Sequence, residues 1–195
     1  MELFFDTETS DKFNFKVQHY YDDNFPWPVQ IGVVLAEEGI AYAELNLIVK
    51  PERRIISEGA YKVHQIDTKL AEKVGVLEAD LLVTFMRLVK NADILVAHNY
   101  QFDSQIMAAS LFRCNYKKEA ENLISNTPYF CTMKDSTNLC KLPGNYGSYK
   151  WPKLSELHQF LFNEGFIGAH DAMYDIRATM KCYYELKKRK EKKLV

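Results

Sequence analysis

Apolar residues that alternate as they do in β-strands dominate the beginning of the chain. Leu3 to Glu8 is apolar at its start and polar at its end, which predicts a buried strand with a polar exit. Residues 29–35 and 42–49 also alternate, and the turn signal Glu38-Gly39 separates them, so together they predict a hairpin. Three strands therefore come before the helical part of the chain.

Helical periodicity characterises most of the remaining sequence. In segment 78–90 the apolar residues fall on one face of a helix, and Ser57 and Asp67 are candidate N-caps of two short helices. The later elements predicted are a strand at 94–97, a helix at 102–112, a short strand at 129–132, and helices at 154–162 and 172–190. This order predicts an α/β sandwich around a mixed sheet.

The size and composition of the chain predict one domain, residues 1–195. With 195 residues, 47% of them hydrophobic, the chain can bury a sizeable core. Residues 10–28 are predicted to form a long, partly ordered loop, in which Tyr20, Tyr21 and Trp27 pack the loop down more often than they grip a strand. The basic C-terminal end, 188–195, is interpreted as a solvated helix end rather than as a phosphate-binding patch.

The cysteine spacing and the hydrophobicity pattern narrow the class of protein further. No cysteine pair has the spacing of a zinc site, so we interpret the four cysteines as free thiols, most of them buried. They are Cys114, Cys131, Cys140 and Cys182. No signal peptide and no membrane-spanning run is found in the sequence, so we expect no membrane contact and a cytoplasmic protein.

Asp6 and Glu8 are two residues apart on the first predicted strand. Side chains at this spacing point to the same face, and two adjacent carboxylates repel each other and resist burial. A divalent cation with a preference for oxygen ligands, Mg²⁺ or Mn²⁺, is the usual reason to keep them together. The alternative is that Asp6 ends the strand while Glu8 is solvated.

Two further polar clusters lie where helices begin. His98-Asn99 and Asp103 stand between the strand at 94–97 and the helix that follows it, and His170 precedes Asp175 by five positions at the start of the last helix. Each has a structural alternative: Asp103 suits the helix dipole, His98 is a satisfied polar group, and Asn99 is an N-cap. Asp171 is likewise a candidate N-cap, or it raises the pKa of His170.

Taken together, these motifs resemble those of the DEDDh-type, DnaQ-like 3′–5′ exonucleases. The first motif is Asp6 to Thr9, the second is His98 to Asp103, and the third is His170 to Asp175. Residues 60–66 resemble the family's Val-His-Gly-Ile stretch, and residues 149–157 resemble a segment of phage- and Bacteroides-type members. The resemblance implies a ribonuclease-H-like mixed five-stranded sheet flanked by helices.

The resemblance also implies a mechanism with two divalent metal ions, Mg²⁺ or Mn²⁺. In it Asp6, Glu8 and Asp175 bind one ion, while Asp6 and Asp103 serve the second. The ions would stabilise the attacking and leaving oxygens of an in-line displacement. His170 would act as the general base, because an imidazole with a pKa near about 6.5 accepts a proton at neutral pH. The products would be nucleoside 5′-monophosphates.

The resemblance supplies candidate contacts to the terminal nucleotide as well. They are Thr7, Thr9, His64, Asn99 and Phe102. Phe102 is a candidate wedge against the terminal bases, with a core-facing helix residue as the equal alternative. Ser10 and Gln65 depart from the family pattern, since glycine is usual at both positions. Ser10, together with the long loop 10–28, leaves the local path of the chain beside the 3′ end open.

The net charge of −1 is unlike that of a general nucleic-acid binder, but bound cations would neutralise the acidic site. We expect the partner to be a single-stranded 3′ end, with DNA favoured, RNA possible, and a replication or repair protein as a possible associate. One alternative is a 3′–5′ exoribonuclease of the same fold, because the motifs do not read the 2′-hydroxyl. The other is a non-catalytic nucleic-acid- or polymerase-binding module.

Overall fold

A computed structural model describes residues 1–14, 18–165 and 171–193, which form a five-stranded sheet and eight α-helices. The strands are β1 Glu2–Thr9, β2 Pro28–Glu37, β3 Ile40–Ile48, β4 Ile94–Ala97 and β5 Tyr129–Cys131. The helices are α1 Glu58–His64, α2 Thr68–Val74, α3 Glu78–Lys90, α4 Tyr100–Arg113, α5 Lys117–Ser125, α6 Thr132–Cys140, α7 Leu154–Phe162 and α8 Ala172–Lys193. A single 3₁₀ turn, Asn145–Gly147, lies between α6 and α7.

The sheet is mixed and has the strand order β3-β2-β1-β4-β5. Strands β1, β2 and β3 are antiparallel neighbours, whereas β4 runs parallel to β1 and β5 runs parallel to β4. Parallel neighbours need a crossover, and α4 and α5 provide it between β4 and β5. The predicted α/β fold with a mixed five-stranded sheet is therefore confirmed.

Strand β1 occupies the centre of the sheet, and its side chains reach the core on both faces. Leu3 and Phe5 join the larger apolar cluster, where the Phe5 ring meets Phe85 of α3 at 5.7 Å and Tyr100 of α4 at 5.8 Å. Phe4 points to the opposite face and packs edge-on against Tyr183 of α8, with 5.4 Å between ring centroids. Helices cover both faces because this central strand is apolar on both.

Buried Glu78, the first residue of α3, is held by two arginines. Its Oε2 accepts a hydrogen bond from Arg54 Nη1 at 2.7 Å, and its Oε1 accepts one from Arg113 Nη2 at 2.9 Å. Burial alone would raise the pKa of Glu78, but the Arg113 and Arg54 charges hold that pKa below its ordinary value. The Glu78 carboxylate is thus ionised, and the two arginines balance its negative charge.

Several predicted helix ends are confirmed, but two helices were missed. The Ser57 hydroxyl accepts from Ala60 N at 3.1 Å, and the Asp67 carboxylate accepts from Leu70 N at 2.6 Å, as expected of N-caps. The order read from the sequence omitted α5 and α6. Both are rich in polar residues and neither has a side-chain cap, so tertiary packing rather than a sequence signal defines them.

The described part of the 10–28 loop packs down onto α4, as the sequence favoured. Phe25 and Trp27 are buried, Tyr20 is half-buried, and Tyr21 is half exposed. The guanidinium carbon of Arg54 lies 4.4 Å from the centroid of the Trp27 ring. Ser10, in place of the usual glycine, donates to and accepts from the Trp27 backbone and so ties the end of β1 to the end of the loop.

Two further predictions concern the cysteines and the basic helix end. The four cysteines of the described chain are free thiols, and three of them are buried. In α8, Arg189 pairs with Glu185 at 2.6 Å, and Lys190 pairs with Asp135 at 2.5 Å. These intrachain pairs support the structural interpretation of the basic end. Among the described residues, the helices are too short or too polar to cross a membrane.

Candidate active site

The acidic motifs converge where β1 leaves the sheet. Asp6 and Glu8 lie near the end of β1, and Asp175 lies in the first turn of α8. Carboxylate oxygens of these three residues lie within 4.8 Å of one another, with Glu8 buried and the other two half-buried. Three anions at this separation form a site with the ligand chemistry of a hard divalent cation.

A glycine in β2 lets α8 approach this site. Gly32 pairs with Asp6 across the sheet, and a Cβ atom on Gly32 would lie 2.5 Å from Cδ1 of Ile176 and 3.2 Å from the backbone of Ala172. A side chain there would therefore push away the first turn of α8, which carries Asp175. The absence of a side chain at Gly32 allows Asp175 to reach the strand that carries Asp6.

Asp103 joins the cluster from α4, whose first turn follows β4. Its buried Oδ1 accepts two hydrogen bonds from Thr7, one from the backbone N–H at 3.0 Å and one from the hydroxyl at 2.7 Å. These bonds fix the carboxylate and leave its second oxygen free of Thr7. Thr7, predicted as a substrate contact, has its hydroxyl committed to Asp103 in this structure.

The electrostatics of the cluster differ from those of an ordinary buried ion pair. Burial raises the pKa of Asp6 well above its ordinary value, and Asp103, Asp175 and Glu8 raise it further. Burial, then Asp175 and Asp103, raises the pKa of Glu8 to about 8. Burial raises the pKa of Asp103 to about 7 despite the hydrogen bonds from Thr7. The charged neighbours that raise these pKa values are other carboxylates. A bound cation would offset their mutual repulsion.

His170, the predicted general base, lies outside the described residues. Its sequence neighbour Asp171 is described, and its Oδ1 accepts a hydrogen bond from Met173 N at 3.0 Å at the start of α8. The Asp171 carbonyl also accepts from Asp175 N at 3.0 Å. The N-cap interpretation of Asp171 is therefore confirmed, and the cap orients the turn that carries Asp175.

A cleft of about 370 Å³ opens beside the acidic cluster. Its walls include Glu8 and four of the five substrate contacts predicted from the sequence, namely Thr7, Thr9, His64 and Phe102. Lys12, Phe13 and the first helix α1 close its other sides. Most of the predicted substrate contacts are thus gathered around one cavity adjacent to the predicted metal ligands.

His64 presents a hydrogen-bond donor in this cleft. Its Nδ1 accepts from the Ile66 backbone N–H at 3.0 Å, so Nε2 carries the proton of the neutral ring. Burial lowers the pKa of His64, and the Thr9 carbonyl partly offsets that shift. Within the described chain, Nε2 is buried and makes no well-formed hydrogen bond. The Thr9 carbonyl is therefore at most a weak acceptor for this ring, and an acceptor on a ligand would satisfy Nε2–H better.

Gln65, which stands where the resembled motif has glycine, adopts a backbone conformation that favours glycine. It ends α1 in the left-handed conformation, with φ 60° and ψ 16°, and its N–H donates to the Tyr61 carbonyl. Glycine adopts this conformation without a steric penalty, whereas glutamine does so at a cost. Gln65 therefore adopts the backbone conformation that a glycine would readily adopt at this position.

Phe102 lines the cleft and also packs against the small apolar cluster of Phe25, Ile106 and Ala109, so the wedge and the core-facing interpretations both stay open. It is half-buried, and its ring stacks on Phe13 with 4.9 Å between centroids and 20° between planes. Phe13 in turn contacts Phe25 at 4.4 Å. The sequence did not single out Phe13, because nothing in the pattern of a loop tells which of its aromatics folds back onto α4.

The second motif contains two residues, His98 and Asn99, for which the sequence offered structural alternatives. Asn99 occupies the N-cap position of α4, as that alternative expected, but in the left-handed conformation, with φ 68°, and its side chain makes no capping hydrogen bond. The His98 ring is satisfied instead: Nε2 donates to the Pro152 carbonyl at 3.1 Å, and Nδ1 accepts from the Thr132 hydroxyl at 2.9 Å. Burial lowers the pKa of His98 to about 4, so this ring is neutral and structural.

Comparison with known proteins agrees with this arrangement. Residues 3–183 match the RNase T-type exonuclease family. The chain therefore belongs to this exonuclease family, and its motifs are those of the DEDDh-type, DnaQ-like branch. The predicted family is thus confirmed, while the particular likeness to phage- and Bacteroides-type members stays a prediction. No curated protein matches the chain.

Solved structures of E. coli exonuclease I share the fold. The zinc-ion-bound form of its complex with ssDNA has a TM-score of 0.72 and 20% identity, over 96% of this chain and 40% of that chain. The complex with a dT13 oligonucleotide has a TM-score of 0.76 and 19% identity, over 99% of this chain and 42% of that chain. At these identities the likeness establishes the fold. The present chain spans about two fifths of the length of these proteins.

Proposed function

We propose that the chain acts as one 3′–5′ exonuclease domain, which releases nucleoside 5′-monophosphates from the 3′ end of single-stranded DNA. The observation that carries this proposal is the convergence of Asp6, Glu8 and Asp175 within 4.8 Å, beside Asp103. Four carboxylates from three separate elements meet next to a cleft with aromatic walls. This combination suits hydrolysis of a phosphodiester at the end of a strand.

The residues present fit divalent metal ions. Burial and mutual repulsion raise the pKa values of Asp6, Glu8 and Asp103, which is the electrostatic state that a bound cation relieves. Asp6, Glu8 and Asp175 would hold one ion, and Asp6 with Asp103 would serve a second. When bound, Mg²⁺ or Mn²⁺ supplies Lewis-acid stabilisation of the attacking and leaving oxygens.

The protein's own groups would position the reactants and move the proton. Thr7 holds Asp103 through two hydrogen bonds, so the carboxylate does not have to reorganise during the reaction. His170 stands five positions before Asp175 in the sequence and would take the proton from the attacking water. His98 does not compete for this role, because its ring nitrogens are engaged by Pro152 and Thr132.

The cleft would receive the terminal nucleotide. The stacked pair Phe13 and Phe102 offers an aromatic surface for a base, which requires no particular sequence. The Nε2–H of His64 offers a donor to a phosphate or sugar oxygen. Thr9 and Asn99 remain candidate contacts from the family motif, with Thr9 on the cleft wall.

Two considerations favour single-stranded DNA as the substrate. E. coli exonuclease I, which shares the fold, has been observed with ssDNA and with a dT13 oligonucleotide. In addition, a cleft whose walls include the half-buried rings of Phe13 and Phe102 suits unpaired bases. Removal of nucleotides from DNA 3′ ends would serve replication or repair, together with partners from those processes.

The proposal is tested by digestion of matched single-stranded DNA and RNA labelled at the 5′ end. Wild-type protein and Asp6→Ala are incubated with Mg²⁺, with Mn²⁺ and with EDTA. We expect a ladder that shortens from the 3′ end and that depends on both the metal and Asp6, with DNA degraded faster. Faster degradation of RNA would instead identify an exoribonuclease of the same fold. No cleavage of either polymer by folded, metal-loaded protein would leave a nucleic-acid- or polymerase-binding module.

A further inference from the structure

The loop between α6 and α7 exposes a group of aromatic side chains among lysines. Trp151 is 60% exposed, Tyr149 is 46% exposed, and Tyr146 is fully exposed. Segment 141–153 contains three lysines and neither aspartate nor glutamate. Lys150 is paired with Glu156 of α7 at 2.5 Å, which leaves Lys141 and Lys153 as the further cations of the segment. Single exposed aromatics are common, but three within six residues beside lysines form a patch whose chemistry favours a polyanion with planar groups.

This loop is held in place by its own hydrogen bonds. Gly144 N donates to Ser148 O at 2.9 Å, and Lys150 N donates to Leu142 O at 3.0 Å, so the segment folds back on itself. A Cβ atom on Gly144 would lie 2.8 Å from both Lys150 N and Ser148 O, which shows how closely the two arms approach. The exposed rings are therefore presented by a braced loop, and little entropy is lost when a ligand stacks on them.

Side-chain contacts connect the loop to the candidate active site. The Pro152 carbonyl accepts a hydrogen bond from His98, which stands at the end of β4. Lys134 of α6 lies with its Nζ 6.0 Å from the centroid of the Trp151 ring, and the same Nζ donates to Gln101 Oε1 at 3.3 Å. Gln101 is the direct neighbour of Phe102, which lines the cleft.

We propose that Trp151, Tyr149 and Lys134 form a second contact surface, which binds the single strand on the 5′ side of its terminal nucleotide. This inference rests on the proposed exonuclease function and adds to it a site outside the cleft. The rings stack on bases without regard to sequence, while Lys134 attracts the phosphates. Gln101 accepts a hydrogen bond from Lys134 and directly precedes Phe102 of the cleft, so we expect one strand to reach both sites.

The first test is fluorescence, because the protein has only two tryptophans and the other, Trp27, is buried. Oligothymidylate is titrated into the protein in EDTA, where metal-dependent hydrolysis does not occur, and binding is followed independently by anisotropy of a labelled oligonucleotide. We expect the emission of Trp151 to be quenched as the oligonucleotide binds, and the change to disappear in Trp151→Phe. Saturation in the anisotropy signal with unchanged tryptophan emission would overturn the proposal.

The second test compares the hydrolysis of a dinucleotide with that of a long oligothymidylate. For Trp151→Ala we expect KM for the long substrate to rise roughly 5- to 100-fold, the range that loss of one base–aromatic stack produces. Hydrolysis of the dinucleotide, which reaches only the cleft, should be unchanged. Tyr42→Ala is the matched control, because Tyr42 is 62% exposed on β3 at the opposite edge of the sheet. Equal losses on both substrates, or none on either, would contradict the proposal.

The two tests separate this inference from the function on which it rests. If wild-type protein hydrolyses neither substrate while oligothymidylate still quenches Trp151, the second surface stands and the exonuclease proposal fails. If hydrolysis proceeds and Trp151 is neither quenched nor needed, the exonuclease stands and the second surface fails. Binding of protein rather than DNA by this patch would appear as the latter result.

Discussion

Two groups of buried carboxylates in this protein have opposite electrostatic surroundings. Glu78 is gripped by Arg54 and Arg113, and its pKa lies below the ordinary value. Glu8 is also buried, but the charges near it are carboxylates, and its pKa is raised to about 8. Burial disfavours the charged form at both positions, so the sign of the neighbouring charges decides the outcome.

The difference distinguishes a structural glutamate, Glu78, from a proposed metal ligand, Glu8. Glu78 joins α3 to α4 through Arg113, and Arg54 and Arg113 balance its charge without any further partner. The cluster around Glu8 gathers like charges at a site that costs stability until a cation is bound. Identical substitutions at these two glutamates should therefore have opposite consequences, and they provide the sharpest test of the comparison.

The largest effect is expected from Glu8→Gln, which removes a charged ligand and preserves the shape of the side chain. Because the interaction of a metal ion with the reacting oxygens supplies several kcal/mol, kcat should fall on the order of a thousandfold or more. Activity is measured as 3′-end shortening with Mg²⁺ and with Mn²⁺. Retention of wild-type kcat in folded Glu8→Gln would remove Glu8 from the set of metal ligands.

Glu78→Gln should instead reduce stability and spare the chemistry. Two arginines would lose their anionic partner, so we expect the free energy of unfolding to fall by about 2–3 kcal/mol. The loss is below that of a fully buried pair, because the Arg54 and Arg113 side chains are 26% and 22% exposed. Urea denaturation measures it, and the folded variant should show wild-type kcat. A loss of kcat without a loss of stability would reverse the assignments of the two glutamates.

The stability of the metal-free protein should decrease as the pH rises from about 5 to about 8. The pKa of Glu8 is raised to about 8 and that of Asp103 to about 7, so in this range the folded protein binds protons that the unfolded chain has released. Each deprotonation therefore lowers the free energy of unfolding. From the size of the pKa shifts, the total loss over this range should be about a few kcal/mol. Glu78 does not contribute here, because its lowered pKa acts at more acidic pH.

Urea denaturation in EDTA at several pH values measures this slope, and saturating Mg²⁺ provides the control. Because bound cations stabilise the ionised carboxylates, the slope should flatten with Mg²⁺, and it should also be smaller in Glu8→Gln. Stability that rises with pH in EDTA would show that the cluster carries a compensating charge within the protein.

The smallest effect is expected from Asp171→Asn. Asparagine caps a helix as well as aspartate does, so the hydrogen bond to Met173 N and the start of α8 should be preserved. Removal of the charge beside His170 should move the acid limb of the kcat profile to lower pH, by less than about one unit because Asp171 is partly exposed to solvent. An unmoved limb would leave Asp171 as a cap alone.

Much of the fold could be predicted from periodicity, because the apolar residues that recur at regular intervals in the core elements are the residues that become buried. β1, the β2–β3 hairpin, α3 and α7 were each identified, since apolar side chains at fixed intervals leave few alternatives. α5 was missed because Ala120 and Leu123 are the buried residues it offers, too few to define a period.

α6 illustrates a different limit. Its buried positions include Thr132 and Ser136, which usually favour caps and turns over the interior of a helix. In the structure the Ser136 hydroxyl donates to the Thr132 carbonyl at 2.6 Å, and the Thr137 hydroxyl donates to the Met133 carbonyl at 2.9 Å. These hydroxyl groups form hydrogen bonds within the helix. Packing against α7 and α8 can therefore stabilise a helix that the periodicity of the sequence does not predict.

The sequence by itself identified the acidic residues that the structure brings together, because the acids of the three motifs are local patterns at strand exits and helix starts. Tertiary structure alone decided that Asp175 meets Asp6, since their approach depends on Gly32 and on the packing of α8 over β2. It also decided that His98 is structural and that Phe13 stacks on Phe102. The contact between Lys134 of α6 and the Trp151 ring likewise depends on tertiary packing. Local patterns fix residue types and faces, whereas contacts between distant segments depend on how the whole core packs.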